Sequence, residues 1–370
     1  MVRQLQRVSI VGLVAICLVG APSSQAAIGA QLVVASSWPA AFVFDPGGRI
    51  FYGNRFTGQI RIFNPATGGD TLFFTLPDVA TVGEQGLLGL ALHPSYPARP
   101  YIFAYYTRTV DGQPENQIVQ VTDSMGTESG RSTETGATGQ GFRTLFSLPA
   151  AGNHNGGVIH FGPDNELYAV VGDVGNRANA QDLSSFAGKV LRISGFSKPL
   201  PANPLACSPV CPFAFGIRNS FGFTFDPQTG NLWQTENGPE CNDELNRIVK
   251  DGNHAWGPSA TCNGTPPQNT NQDGPSPRIL PSAIYNPVIA PTGAAFCQGC
   301  GLGAAMERRL LFGDWNRGEI HAVTLTADRL GVASQTVILD RASGILAVER
   351  GTGGAIYFSD ANGIYRLTGP

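Results

Sequence analysis

The sequence predicts an all-β protein built as a six-bladed β-propeller, and three observations carry that reading. Of 370 residues, 14% are charged and 42% hydrophobic, with 47 glycines and 27 prolines. That turn-rich balance suits many short strands and excludes both disorder and coiled coil. Strand-like runs alternate with period two, as in Gln59, Ile60, Arg61, Ile62 and Phe63, between Asp-Pro, Pro-Asp and Gly-Gly turns. Finally, a unit of apolar strand, turn, strand ending in an aromatic, and alternating strand recurs six times. Units this small cannot bury their own faces, and a closed ring of six lets each pack against its neighbours. A two-sheet sandwich would also show short strands and turns, but not copies that resemble one another.

In chain order, residues 1–27 come first, with a basic start (Arg3, Arg7), an apolar run from Val8 to Val19, and small residues at Ser24, Ala26 and Ala27. This is the grammar of a cleaved secretory signal, and the run is short for a membrane span. The expectation is an exported chain, secreted or periplasmic, with no stable membrane insertion after cleavage and a propeller over 28–370. The net charge of −3 becomes more negative once Arg3 and Arg7 are removed, which argues against a nucleic-acid partner. Six cysteines then remain. An even count in an exported chain reads as disulfides, and nearest-neighbour pairing expects Cys207 with Cys211, Cys241 with Cys262, and Cys297 with Cys300. A zinc site from these spacings lacks a completing ligand, and Gly301 after Cys300 excludes covalent c-type haem.

The repeat appears at 41–63, 89–122, 157–194 and 222–249, then more weakly at 293–325 and 345–367. Two polar stretches, 123–141 and 266–277, interrupt it and read as surface loops around one mouth of the ring.

Residues 211–257 hold more polar machinery than core strands need: Arg218-Asn219, the corner Glu236-Asn237-Gly238-Pro239, and Asp243-Glu244. Upstream, His154 sits in a glycine-flanked loop, Gly152-Asn153-His154-Asn155-Gly156-Gly157. An imidazole is suited to take a hydroxyl proton near neutral pH, and glycines allow close approach. A guanidinium at a strand entrance can stabilise developing negative charge, and carbonyls exposed at a tight corner suit calcium. Asp243 and Glu244 would serve a second calcium or cap a strand pair. His93, His160, His254 and His321 are expected to be structural. Gly172-Asp173-Val174-Gly175-Asn176 lacks the spacing of a phosphate loop.

The blocks EQGLLGLALHPSY (84–96), NHNGGVIHFGPDNELYAVVGDVGN (153–176), FGIRNSFGFTFDPQTGNLWQTENGP (215–239) and DELNRIVKDGNHAWG (243–257) occur in the order found in the soluble glucose/sorbosone dehydrogenase family, which the chain resembles. That resemblance implies a six-bladed propeller using pyrroloquinoline quinone (PQQ) and calcium to oxidise a sugar or related alcohol, with electrons passing to an external acceptor. It implies His154 as the general base and Arg218 as the stabiliser of the reduced quinone oxygen. It further implies cofactor contacts from Glu84, Asn153, Asn219 and Asn237, and calcium on Gly238 and Pro239, with Glu244 for a second ion.

Two departures stand out. Glu84 occupies a position where the family commonly has glutamine, and the last blade reads Ser343-Gly344-Ile345-Leu346-Ala347-Val348 where the family carries two arginines. Arg308, Arg309 and Arg317 are the candidates for its cofactor-binding lysine. The alternatives are a non-catalytic binding propeller and a calcium-dependent hydrolase of the lactonase type.

Overall fold

The computed structural model describes residues 27–124, 139–194, 210–257, 262 and 272–369. Residues 1–26, 125–138 and 266–271 of the N-terminal stretch and the two polar stretches, and Cys207, lie outside the described residues.

Six four-stranded antiparallel sheets form the ring. Each begins with its innermost strand: Pro39–Phe44, Leu87–Leu92, Ile159–Phe161, Gly222–Phe225, Pro291–Phe296 and Ala347–Arg350 open blades 1 to 6. Blades 1 to 5 take their strands consecutively. Blade 6 contains Ala347–Arg350, Ile356–Asp360 and Gly363–Thr368, and its outer strand is the N-terminal Gly29–Ala35. Register runs from Gly29 opposite Thr368 to Ala35 opposite Gly363, so the two ends of the chain close the ring.

Period-two alternation within a blade has a simple consequence. Along Leu167–Val171, residues Leu167, Ala169 and Val171 pack toward blade 2, while Tyr168 and Val170 pack toward blade 4. Both faces of the strand are therefore apolar and buried, as in any sheet covered on two sides. The same rule gives six core wedges, one between each pair of neighbouring blades. Near the axis some positions leave no room for a side chain. A Cβ on Gly222 would lie 2.1 Å from the Thr292 carbonyl oxygen, so the inner strand of blade 4 needs glycine there to approach blade 5.

Two of the expected disulfides are present, Cys241–Cys262 and Cys297–Cys300. Cys211 is also disulfide-bonded. No helix among the described residues is long and apolar enough to cross a membrane.

Candidate active site

Inner strands begin, and second strands end, at the same end of the ring, so the loops joining blades gather there around the central tunnel. The tunnel holds a cavity of about 350 Å³ walled by inner strands of all six blades. Its wall is largely apolar. The ionisable side chains on it are Arg55 and Glu84, together with His160 and Glu349.

Glu84 ties the site together. Its Oε2 accepts the backbone N–H of His154 at 2.5 Å, and Asn219 Nδ2 donates to the same carboxylate at 3.1 and 3.3 Å. Arg218 Nη1 donates to the Asn237 carbonyl at 2.8 Å, and Asn237 N–H donates to the Asn219 carbonyl at 2.8 Å. Loops of blades 2, 3 and 4 thus converge at one tunnel mouth, with Glu84 and Asn237 on the cavity wall and His154, Arg218 and Asn219 bonded directly to them.

His154 has φ 57, a left-handed conformation uncommon outside glycine and held here by its neighbours. Buried Asn155 pins the loop: its side chain bonds Ala151 and Asn116, and Tyr105 donates its hydroxyl to the Asn155 carbonyl at 2.8 Å. The imidazole Nδ1 lies 2.7 Å from Asp173 Oδ1. That carboxylate is fully buried and also accepts Gly175 N–H and the Trp256 indole N–H. A carboxylate can only accept, so Nδ1 donates to Asp173, and in the neutral ring that leaves the lone pair on Nε2.

Arg218 rests over Trp256, with its guanidinium carbon 5.4 Å from the ring centroid. Burial lowers its pKa, while Asp173, Glu236, Glu84 and Asp243 favour its charge. Its Nε and the Oδ1 of Asn219 are buried without a hydrogen-bond partner. A buried donor and acceptor left open side by side in sequence are costly unless a ligand meets them.

The corner at Gly238-Pro239 is clamped by Asp243, which accepts N–H groups from Gly238, Ile289 and Ala290 at 2.6–2.8 Å. Asp243 therefore binds blade 4 to blade 5. Glu244 does not join the corner. It sits in cross-strand register with Glu236 and accepts from the side chains of Asn246 and Gln272. Burial pushes Glu244 up to about 7, and burial followed by Glu244 raises Glu236 well above the carboxylate range. Asn153 is exposed and does not line the cavity, one residue before the left-handed turn at His154.

Of the other histidines, His93 accepts Ser95 N–H within a turn, His254 accepts Val249 N–H, and His321 pairs with Asp314. His160 differs from the expectation for a strand residue, because it lines the cavity 3.5 Å from Glu349 of the blade across the axis. Sequence reading missed Asp173, Trp256, Trp38 and Trp315. Asp173 carried one signal, its place at the end of an apolar run between glycines.

The arrangement sets a histidine paired with a buried aspartate, an arginine with a buried unpaired Nε and the Gly238-Pro239 turn clamped by Asp243 beside the mouth of a largely apolar tunnel. Comparison with known proteins gives the same direction. The chain is 31% identical over 242 residues to quinoprotein glucose dehydrogenase B of Acinetobacter calcoaceticus, a match covering 59% of this chain and 50% of that protein; the chain thus spans about half the length of that relative. It is 28% identical over 242 residues to aldose sugar dehydrogenase YliI of Escherichia coli K12, covering 60% and 59%. The PQQ-bound form of aldose sugar dehydrogenase from Streptomyces coelicolor superposes with a TM-score of 0.75 at 25% identity, over 93% of this chain and 99% of that one. Residues 35–367 match the model of the Glucose / Sorbosone dehydrogenase family, and the chain belongs to that family.

Proposed function

We propose that this protein is a PQQ-dependent dehydrogenase oxidising a sugar or related alcohol outside the cytoplasm and passing electrons to an external acceptor. The observation that carries the reading is His154, fixed by Asp173 and joined through Glu84 to the open groups of Arg218 and Asn219. Those open atoms fit the redox-active end of a quinone: Arg218 Nε would donate to a quinone oxygen and Asn219 Oδ1 would accept from its reduced form. PQQ, when bound, supplies the acceptor for hydride from the substrate carbon.

The chain's own residues do the rest. His154 Nε2 takes the hydroxyl proton, and the Asp173 carboxylate stabilises the imidazolium that results. Arg218 would hold the quinone oxygen and favour negative charge there, since a fixed guanidinium away from water is worth more than one in solution. The carbonyls of Gly238 and Pro239 would hold calcium, which polarises a quinone carbonyl. Glu244, one strand away, is the candidate for a second ion. The leader at 1–27 and the disulfides support export.

Reconstituting purified protein with PQQ and calcium and assaying dye reduction with aldoses and polyols tests this reading. Substrate-dependent dye reduction is expected. Its absence across the panel, or lactone hydrolysis without quinone, would reject it.

A further inference from the structure

The cavity mouth is poor in available positive charge. Arg55 is the cation on its wall, and it is already engaged: Nε donates to the Gln85 carbonyl at 3.0 Å and Nη2 to the Gly83 carbonyl, while Trp38 and Phe56 cover the guanidinium at 5.6 and 4.9 Å. Glu84 stands on the same wall and cancels the charge of Arg55 to first order. Arg218 does not line the cavity wall, its Nη1 is engaged by the Asn237 carbonyl, and Asp173, Glu236, Glu84 and Asp243 surround it. Arg177 is exposed and stacked over Trp256, off the wall.

At Gly344, which leads into blade 6, packing leaves no room for a long side chain. A Cβ on Gly344 would lie 2.5 Å from the Trp315 carbonyl oxygen and 2.6 Å from Trp315 Cε3, so the indole fills the space a longer side chain would need. Trp315 in turn meets Trp38 at 5.5 Å. Leu346, two residues on, lines the cavity with a hydrocarbon. The mouth thus presents aromatic and aliphatic side chains from Trp38, Trp315 and Leu346, and a carboxylate from the loop before blade 2.

We infer that Glu84 and the Trp38, Trp315 and Leu346 wall make this pocket select its quinone by charge, favouring a flat, weakly charged ring over a polycarboxylate. A fully ionised tricarboxylate brings three negative charges to a mouth where Arg55 and Glu84 offset each other and Arg218 is the remaining cation, itself facing Asp173 and Asp243. An uncharged quinone of the same shape loses nothing against Glu84 and stacks on the indoles. This rests on the quinone reading above and names the ligand chemistry that the site prefers.

The test is a binding titration followed by quenching of tryptophan fluorescence, since Trp38 and Trp315 are two of the four tryptophans and both line the cavity. The probes are PQQ and its trimethyl ester, which share a ring system and differ by three charges. Wild type should bind the ester at least tenfold more tightly, and its affinity for the acid should rise with salt as repulsion is screened. Glu84→Gln keeps an oxygen for the His154 N–H, and it should raise affinity for the acid about tenfold with little change for the ester. Leu346→Arg, which reaches the same cavity from blade 6, should do likewise and reverse the salt dependence.

If wild type binds the acid as tightly as the ester and neither substitution changes their ratio, charge selection is wrong and the quinone reading survives. If no variant binds either compound, both fall.

Discussion

His154 depends on its partner more than on its own chemistry. Asp173→Asn would place an amide opposite Nδ1. The amide can donate to that nitrogen, which moves the ring proton to Nε2 and removes the base. The expected outcome is a fall in kcat of about 100-fold or more with quinone affinity within a few fold of wild type, checked by steady-state kinetics beside a fluorescence titration. The motif around His154 was legible in the sequence because so many glycines and polar residues in a row do not fit an alternating strand. Asp173 was not, because its function is a contact made across a loop after folding, and a strand-ending aspartate ordinarily caps its own turn. Asn153 shows the reverse limit: adjacency to a base says nothing about direction when the next residue is left-handed.

His160 gives a pH prediction at the same scale. Burial lowers its pKa to about 4 from 6.5, and Glu349 across the tunnel is raised well above its ordinary range, also by burial. His160 is therefore neutral in the fold near neutral pH, and burial favours the protonated form of Glu349. Below pH 6.5 the unfolded chain protonates this histidine and the folded one does not, so stability falls with pH until about pH 4. Glu349 acts in the opposite sense, since its contribution is lost as pH rises through its elevated pKa. The His160 side chain keeps 23% of its surface open, which limits the loss to about 2 kcal/mol. Urea unfolding at pH 7, 5.5 and 4.5 should show a steeper loss for wild type than for His160→Gln. Parallel curves would remove this group from the account.

Among the elements, inner and middle strands were readable because both faces are buried and every position is constrained. The outer strands were not. Val332–Asp340 is half-exposed throughout, and its mixed pattern resembles a loop as much as a strand. Gly29–Ala35 was missed for a related reason: it completes a blade whose other strands lie at the far end of the chain, a pairing that local alternation cannot signal.

The corner between blades 4 and 5 makes a prediction at this scale. Asp243 satisfies three buried N–H groups across two blades, so Asp243→Ala should cost about 2–4 kcal/mol by leaving them unpaired. It should also loosen the Gly238-Pro239 carbonyls and weaken calcium binding. Chemical denaturation and calcium titration of the same variant measure the two effects. A variant as stable as wild type would show that water replaces the carboxylate at no cost.

For the whole molecule, the ring is what turns separate motifs into a site. Residues 84, 154, 218 and 237 are far apart in sequence, yet each lies where an inner strand starts or a second strand ends, and closure brings those ends to one mouth. Composition and repetition revealed the ring; the electrostatic character of the mouth became visible only once Arg55 was seen bonded to carbonyls and Gly344 packed under Trp315. The most direct measurement is an anaerobic single turnover on calcium-loaded, quinone-reconstituted protein, following the quinone absorbance after an aldose is added. Wild type should reduce the bound quinone within seconds, whereas His154→Ala should bind it as tightly and reduce it at least 100-fold more slowly. Equal rates in the two proteins would mean that His154 is not the base, and the mechanism proposed for this mouth would be wrong.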